Sequence, residues 1–438
     1  MNQNKASKIP ASRLSRLGKL GKMAGSIATS ALGNTASQLL KAQRPSVQST
    51  LLTSTNASTL TKHLSEMRGA AMKVGQMLSM DAGEFLPPEW EPILATLRQG
   101  ADSMPKTQLL SMLNAHWGNN WANHFSYFSF EPVAAASIGQ VHKAQLKTGE
   151  WLAVKVQYPG VAQSIDSDVN NIGRFIKLSG MLPKGFDLDT ILQQAKAQLI
   201  SEADYAQEAE HMKNFAKLLQ NQPQFLVPEV YAPLSNQHIL CMSFIEGVPI
   251  ESLCEKNVRD QDKQAAINAL FRLMLAELFD YALIQSDPNF ANYLYAPKSK
   301  QIVLLDFGAC RPIPDNIQRH YKQMALGMLA QDVNAMQSAM RGLSLINDSM
   351  TNEVESVILN ACLMASECLQ TNHYNFKSRE LIQRLYDSTK VLMKERSVIE
   401  PPNFDVALVN RKVSGMVMLA NKFCCDVSLK EAVEKYAD

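Results

Sequence analysis

At 438 residues, 46% hydrophobic and 19% charged, the chain is long enough for two or three packed lobes and ordinary in composition for a globular protein. A formal net charge of +2 argues against nucleic acid or any other polyanion as a partner of the whole surface. Seven cysteines, an odd number with no C-x-x-C pair, argue against a disulfide framework or a zinc site and predict free thiols in a reducing compartment.

The charge is unevenly spread. Lys5, Lys8, Arg13, Arg16, Lys19, Lys22, Lys41, Arg44 and Lys62 all precede Glu66, the first acidic residue. Residues 1–57 therefore read as a basic arm: a disordered tail, an organelle transit peptide, or an amphipathic element whose Leu14, Leu17, Leu20 and Met23 would share the buried side of a short helix on an anionic membrane surface. No apolar run reaches transmembrane length; "ALFRLMLAELFDYALI" is broken by Arg272, Glu277 and Asp280.

Residues 58–125 are predicted to be a helical unit. Leu60, Leu64, Met67, Ala71, Leu78 and Met80 supply an apolar side, and Gly69, Ala70, Ala71 and Gly75 keep part of the helix thin enough for another backbone to approach. After "LPPEW" a second helix is expected from about Pro92 to Leu113. Residues 126–249 change texture. "HFSYFSFEPV", "QVHKAQL" and "WLAVKVQY" predict three antiparallel strands, and "FLVPEVYAPLSNQHILCMSFIEGVPI" two more. Between them, "DTILQQAKAQLISEADYAQEAEHMKNFAKLL" reads as one long helix, on which Asp204 and Glu208 would share a face. Residues 250–438 are mostly helical, interrupted by "LIQSDPNFANYLYAP" and "QIVLLDFGA". The order predicts an α+β chain in segregated blocks.

The chemistry begins at "VAAASIGQV", residues 133–141, which keeps the spacing of a glycine-rich phosphate loop and changes its letters. Ala134 and Ala136 replace two glycines, Ala135 and Ser137 lie between and after them, Gly139 keeps the third glycine, and Val141 closes the pattern. A bare small-residue turn would read the same. What separates the two readings is downstream. Lys155 sits in an apolar strand, where an ammonium needs an anionic partner. Asp287 and Asn292 have the D-x-x-x-x-N spacing of a kinase catalytic loop, and Asp306 opens D-F-G after another apolar strand. In that arrangement Asp287 serves as catalytic base beside Lys155, while Asn292 and Asp306 hold a metal ion. The partner of Lys155 is left open among Glu202, Asp204, Glu208 and Glu210.

Together these residues resemble the UbiB-type (aarF-domain) atypical kinase family from about residue 60 to the C-terminus. "KVGQ" matches its K-x-G-Q signature at Lys73, Gly75 and Gln76, "AAAS" its alanine-rich loop, and "EAD" its E-x-D motif at Glu202 and Asp204. The wording resembles the branch that includes the coenzyme Q kinases. The resemblance implies a two-lobe protein-kinase-like fold, with a small antiparallel sheet lobe, a helical C-lobe and an added helical K-x-G-Q unit. It assigns Glu208 as the partner of Lys155 and the K-x-G-Q and E-x-D residues as regulatory. It further implies ATP and Mg2+ as cofactors and ATP hydrolysis in support of ubiquinone biosynthesis. Quinone-precursor lipids, an anionic membrane and other ubiquinone biosynthesis proteins are the expected partners. The expected place is the cytoplasm, peripheral on the inner membrane, or the mitochondrion if the source is eukaryotic.

Gln285 stands where many relatives have histidine, no A-P-E segment follows Asp306, and the hydrophobic C-terminal helices of bacterial UbiB are missing. The lack of A-P-E argues against a peptide substrate. A small-molecule phosphotransferase of the aminoglycoside or choline kinase type is the main alternative, opposed by K-x-G-Q and the alanine loop. A nucleotide-binding scaffold without turnover is opposed by the intact Lys155, Asp287, Asn292 and Asp306.

Overall fold

Alternating burial along the strands and apolar stripes along the helices sort this chain into an antiparallel sheet unit and a helical unit. The computed structural model describes residues 68–81, 103–178, 187–255, 258–389, 392 and 403–437. The basic arm, and the helix expected to start at Pro92 as far as Asp102, lie outside those residues. Among the described residues, those up to Lys213 with Glu229–Phe244 form one unit, and Asn214–Pro228 with Ile245 onward form the other.

The first unit opens with helix α1 (Arg68–Asp81), followed by α2 (Lys106–Trp117) and strands β1 (Phe125–Phe128), β2 (Ala134–Ala135), β3 (Gly139–Leu146) and β4 (Trp151–Gln157). Helices α3 (Val161–Leu178), α4 (Leu188–Glu202) and α5 (Tyr205–Leu218) follow; the end of α5 from Asn214 and strand β5 (Phe225–Leu226) count with the second unit, and β6 (Ile239–Ser243) returns to the first. The antiparallel sheet runs β1-β3-β4-β6, with β2 folded onto β3. Its β3–β4 hairpin turns at Gly149, whose φ of +105° is a conformation that a side chain resists. Register places Lys155 between Val141 of β3 and Leu240 of β6, in the middle of the sheet. Trp121, Phe125, Leu152, Val154 and Ile239 form the core beneath it, with α2 contributing Leu109 and Leu113.

Two expectations need correction. The long helix is two helices. Asp204 stands at the junction, and its Oδ1 accepts the N–H groups of Ala206 and Gln207, each at 3.1 Å. A carboxylate in that position caps a new helix rather than continuing an old one, so Asp204 and Glu208 do not share the face of a continuous helix. The second correction concerns β5, which does not join the small sheet. It belongs to the second unit, where it pairs in parallel with β10, and the fifth strand of the small sheet is the alanine segment β2.

The second unit carries α6 (Asp260–Phe279), apolar on nearly all sides and correspondingly buried. Strands β7 (Val248–Pro249), β8 (Leu283–Gln285), β9 (Tyr293–Ala296), β10 (Gln301–Leu304) and β11 (Cys310–Pro312) form two small sheets. One has the order β5-β10-β9-β7; the other is the β8–β11 pair. The helices α7 (Asp315–Ala330), α8 (Val333–Gly342), α9 (Asn352–Ala365), α10 (Glu380–Thr389), α11 (Phe404–Phe423) and α12 (Leu429–Glu434) follow, and a short antiparallel pair, Tyr374–Asn375 with Asp426–Val427, joins them. None of the described helices is long and apolar enough to cross a membrane.

Candidate active site

In the first unit the sheet presents one buried cation. Lys155 Nζ donates to both carboxylate oxygens of Glu208, at 2.7 and 2.9 Å. Both side chains are buried, and the ammonium also lies 4.9 Å from the centre of the Tyr205 ring. Burial makes such a pair compulsory, because either charge alone would be expelled or neutralised. Glu208 sits in the first turn of α5, where the partial positive charge of the helix end favours a carboxylate. Asp204 caps that same end. Thus the two acids play different parts: Glu208 meets the lysine, and Asp204 starts the helix that carries it.

The alanine loop is a tight hairpin. Ala134 pairs with Val141 and Ala135 with Gln140, and the Ala136 N–H donates to the Gly139 carbonyl at 2.9 Å. Ala134 and Ala135 are exposed and Ala136 is half-buried, so a methyl group fits at each. At Gly139 it does not. A Cβ there would fall 2.4 Å from the Val156 carbonyl oxygen and 2.7 Å from the Tyr205 hydroxyl. The glycine that survives in the loop is therefore demanded by packing on β4 and α5, and its φ is not among the positive values.

Helix α1 presses on the tip of this loop. A Cβ on Gly69 would lie 2.5 Å from the Ser137 carbonyl oxygen and 3.1 Å from Ile138 Cγ2. Lys73 of the same helix meets Glu202 at 2.6 Å, both buried, and the Ser137 hydroxyl donates to the other oxygen of that carboxylate. Gly75 and Gln76 follow on α1, with Gly75 buried. One carboxylate therefore ties the K-x-G-Q helix, the end of α4 and the alanine loop together.

In the second unit the chain brings Asp287, Asn292 and Asp306 to one place. Asp287 follows β8, and Asn292 ends a single 3-10 turn in which Asn289 Oδ1 accepts the Ala291 N–H at 3.1 Å. Asn292 Nδ2 donates to the Asp287 carbonyl at 3.3 Å, which leaves Oδ1 as the acceptor end of the amide. The Asn292 carbonyl accepts the Leu305 N–H at 3.0 Å, drawing the next residue, Asp306, alongside. Asp306 Oδ1 accepts the Gly308 N–H at 2.9 Å, while buried Phe307 packs on the Phe215 ring 5.1 Å away. The Asp306 carboxylate and the Asn292 amide oxygen are hard donors, of a kind that fits magnesium better than zinc or copper. Among the described residues no cluster of three His, Cys, Asp or Glu side chains offers a competing metal site.

Behind this loop lies a group that the motifs do not contain. Lys412 of α11 reaches the Gln285 carbonyl, the Tyr293 hydroxyl and Glu277. The available signal was Glu277 and Lys412 themselves, charges set in apolar stretches of α6 and α11, but nothing along the chain pairs them.

Residues 96–340 match the model of the ABC1 atypical kinase-like domain. The chain is 34% identical to "Atypical kinase COQ8B, mitochondrial" of Danio rerio, over 95% of this chain and 67% of that protein. It is 33% identical to "Atypical kinase COQ8, mitochondrial" of Saccharomyces cerevisiae, over 97% of this chain and 84% of the yeast protein. Among solved structures, Rv3197 of Mycobacterium tuberculosis in complex with erythromycin aligns with a TM-score of 0.61 at 25% identity, covering 85% of this chain and 93% of that one. With its two-unit α+β architecture and relatives matched over nearly its whole length, the chain belongs to the ABC1 atypical kinase family.

Proposed function

We propose that the protein binds Mg-ATP, hydrolyses it or transfers its terminal phosphoryl group to a small acceptor, and supports ubiquinone biosynthesis at a membrane surface. The observation that carries the reading is the Lys155–Glu208 ion pair occurring in one chain with the Asp287, Asn292 and Asp306 set. Phosphoryl transfer needs little covalent help and much positioning and charge neutralisation. In this assignment Lys155, kept in place by Glu208, neutralises phosphate oxygens. Asp287 orients the attacking hydroxyl or water and accepts its proton. Asp306 and Asn292 Oδ1 would hold magnesium, which when bound spreads positive charge over the phosphates. The loop Ala134–Ser137 with Gly139 and Val141 would cover the nucleotide, its alanines holding it off the position a glycine loop permits. The Lys73–Glu202–Ser137 connection would regulate that loop.

On this reading residues 58–125 are an added helical unit, 126–249 the small lobe and 250–438 the large lobe. The relatives' names support a role in coenzyme Q biosynthesis and a mitochondrial setting; a peripheral place on the inner membrane belongs to the same proposal. The basic arm, residues 1–57, is assigned to anionic lipid, with quinone-precursor lipids and other ubiquinone biosynthesis proteins as further partners. The test is ATP turnover by the full chain with and without anionic liposomes and a quinone-precursor-like phenol. Turnover that rises with both supports the reading; absence of nucleotide binding under every condition overturns it. Liposome co-sedimentation of the full chain against a chain starting at Ser58 tests the arm, and equal binding overturns its assignment.

A further inference from the structure

Helix α11 holds a lysine that has no part in the phosphate chemistry proposed above. Lys412 is 2% exposed, and its Nζ donates to the Gln285 carbonyl at 2.9 Å and to the Tyr293 hydroxyl at 3.2 Å. Gln285 Oε1 lies at 3.3 Å and Glu277 Oε2, from α6, at 3.2 Å. Gln285 is two residues before Asp287, and Tyr293 directly follows Asn292. A single ammonium therefore grips the chain on both sides of the segment that bears the candidate base and metal ligand.

The same helix touches that segment directly. Gly415, one turn beyond Lys412, faces Pro288, and a Cβ on it would fall 2.2 Å from Pro288 Cβ. Burial by itself pushes the Lys412 ammonium toward its neutral form, but Glu277 and Tyr293 more than offset this and hold it above its ordinary value. The lysine is thus held in its charged form beside Glu277.

Stability alone gives little reason for this arrangement. A buried ion pair is frequently no better than apolar side chains of similar volume, because desolvation consumes the Coulombic gain. What an apolar side chain cannot do is hold a backbone carbonyl and a phenol at fixed positions. We propose that Lys412, neutralised by Glu277, is a positioning residue that fixes Gln285 and Tyr293 and so sets the placement of Asp287 relative to Asn292. The proposal rests on the reading of Asp287 as the catalytic base.

The experiment compares the wild-type full chain with Glu277→Gln/Lys412→Met, Tyr293→Phe and Asp287→Asn, reading thermal melting, KM for ATP and kcat. The double variant removes both charges together, so no uncompensated ion remains buried. Expected is a melting temperature within a few degrees of wild type, a KM within about twofold, and a kcat lower by roughly ten- to a hundredfold, the scale of an ångström-sized misplacement. If the double variant does not fold, Tyr293→Phe carries the test, since it keeps the ring and removes only the hydroxyl. A kcat reduced about threefold or more at constant KM is then expected. Unchanged kcat in the folded variant, or KM and kcat worsening together, overturns the positioning role. Asp287→Asn separates the two failures: full activity there sinks the reading of Asp287 itself. Activity lost in Asp287→Asn but kept in the other variants sinks only the role of Lys412.

Discussion

Lys73 and Glu202 lie 2.6 Å apart in a buried ion pair, and the carboxylate they share with the Ser137 hydroxyl binds the K-x-G-Q helix to the alanine loop. Removing one member of such a pair leaves the other charge desolvated. We expect Glu202→Gln to destabilise the first unit by about 3 kcal/mol or more, and to change nucleotide affinity, since Ser137 loses a charged acceptor at the loop tip. Replacing both residues, Lys73→Met with Glu202→Leu, should restore much of the stability and none of the loop's restraint. Thermal melting and ATP titration on the single and double variants check this. Stability equal to wild type in Glu202→Gln would mean that the pair contributes nothing.

Asp306 and Asp287 are expected to fail in different ways. Asp306→Asn replaces a charged ligand of a hard cation with a neutral one, so the magnesium-dependent thermal shift with ATP should disappear. Asp287→Asn should leave nucleotide affinity nearly intact while turnover falls by roughly two or more orders of magnitude. An unaltered Mg-ATP shift in the first variant removes the metal assignment. Comparable loss of affinity and turnover in the second makes Asp287 a binding or structural residue.

Ala136 tests the loop. Its N–H is already used by the Gly139 carbonyl, and its methyl group has room. Ala136→Gly therefore costs at most about 1 kcal/mol of local stability. If the alanines hold the nucleotide off its reactive position, the variant should tighten ATP or shift the ATP/ADP preference, and should autophosphorylate where wild type does not. ATP and ADP titrations and a radiolabel assay on both proteins decide the matter. A variant that is slightly less stable and otherwise identical ends the idea of a brake.

His142 sets an acid limit on the small sheet. It is fully buried, with Nδ1 at 2.8 Å from the Ser129 carbonyl and Nε2 at 2.8 Å from Gln140 Nε2. Burial lowers its pKa from 6.5 to about 4, the bond to Ser129 opposing only in part. Between those values the unfolded chain binds the proton and the folded chain does not, so stability falls as pH drops through that window. The slope from this residue approaches 1.4 kcal/mol per pH unit. His142→Gln should flatten the pH dependence of melting between pH 6.5 and 4; an unchanged slope would assign the acid lability elsewhere.

What the chain determines alone is what lies within a few residues' reach. The alternation around Lys155, the D-x-x-x-x-N step from Asp287 to Asn292 and the apolar strand before Asp306 are short-range patterns, and backbone geometry converts each directly into a strand or loop. The K-x-G-Q and E-x-D residues were legible only through the resemblance to the UbiB-type family, whose motifs are short enough to match letter by letter. Which charges meet is another matter. Four acids lie within nine residues from Glu202 to Glu210, and only the break capped by Asp204 turns Glu202 toward Lys73 and Glu208 toward Lys155. Strand β5 has a strand's composition wherever it goes; its parallel partner, β10, is supplied by tertiary contact. Gly139 matched a phosphate-loop template, yet its missing side chain is required by Val156 and Tyr205. Lys412 and Glu277 lie on helices far apart in the chain, and desolvation forces them together only once both helices are packed. Propensity and spacing act along the chain, whereas ion pairing and close approach depend on burial and distance, which exist only after folding.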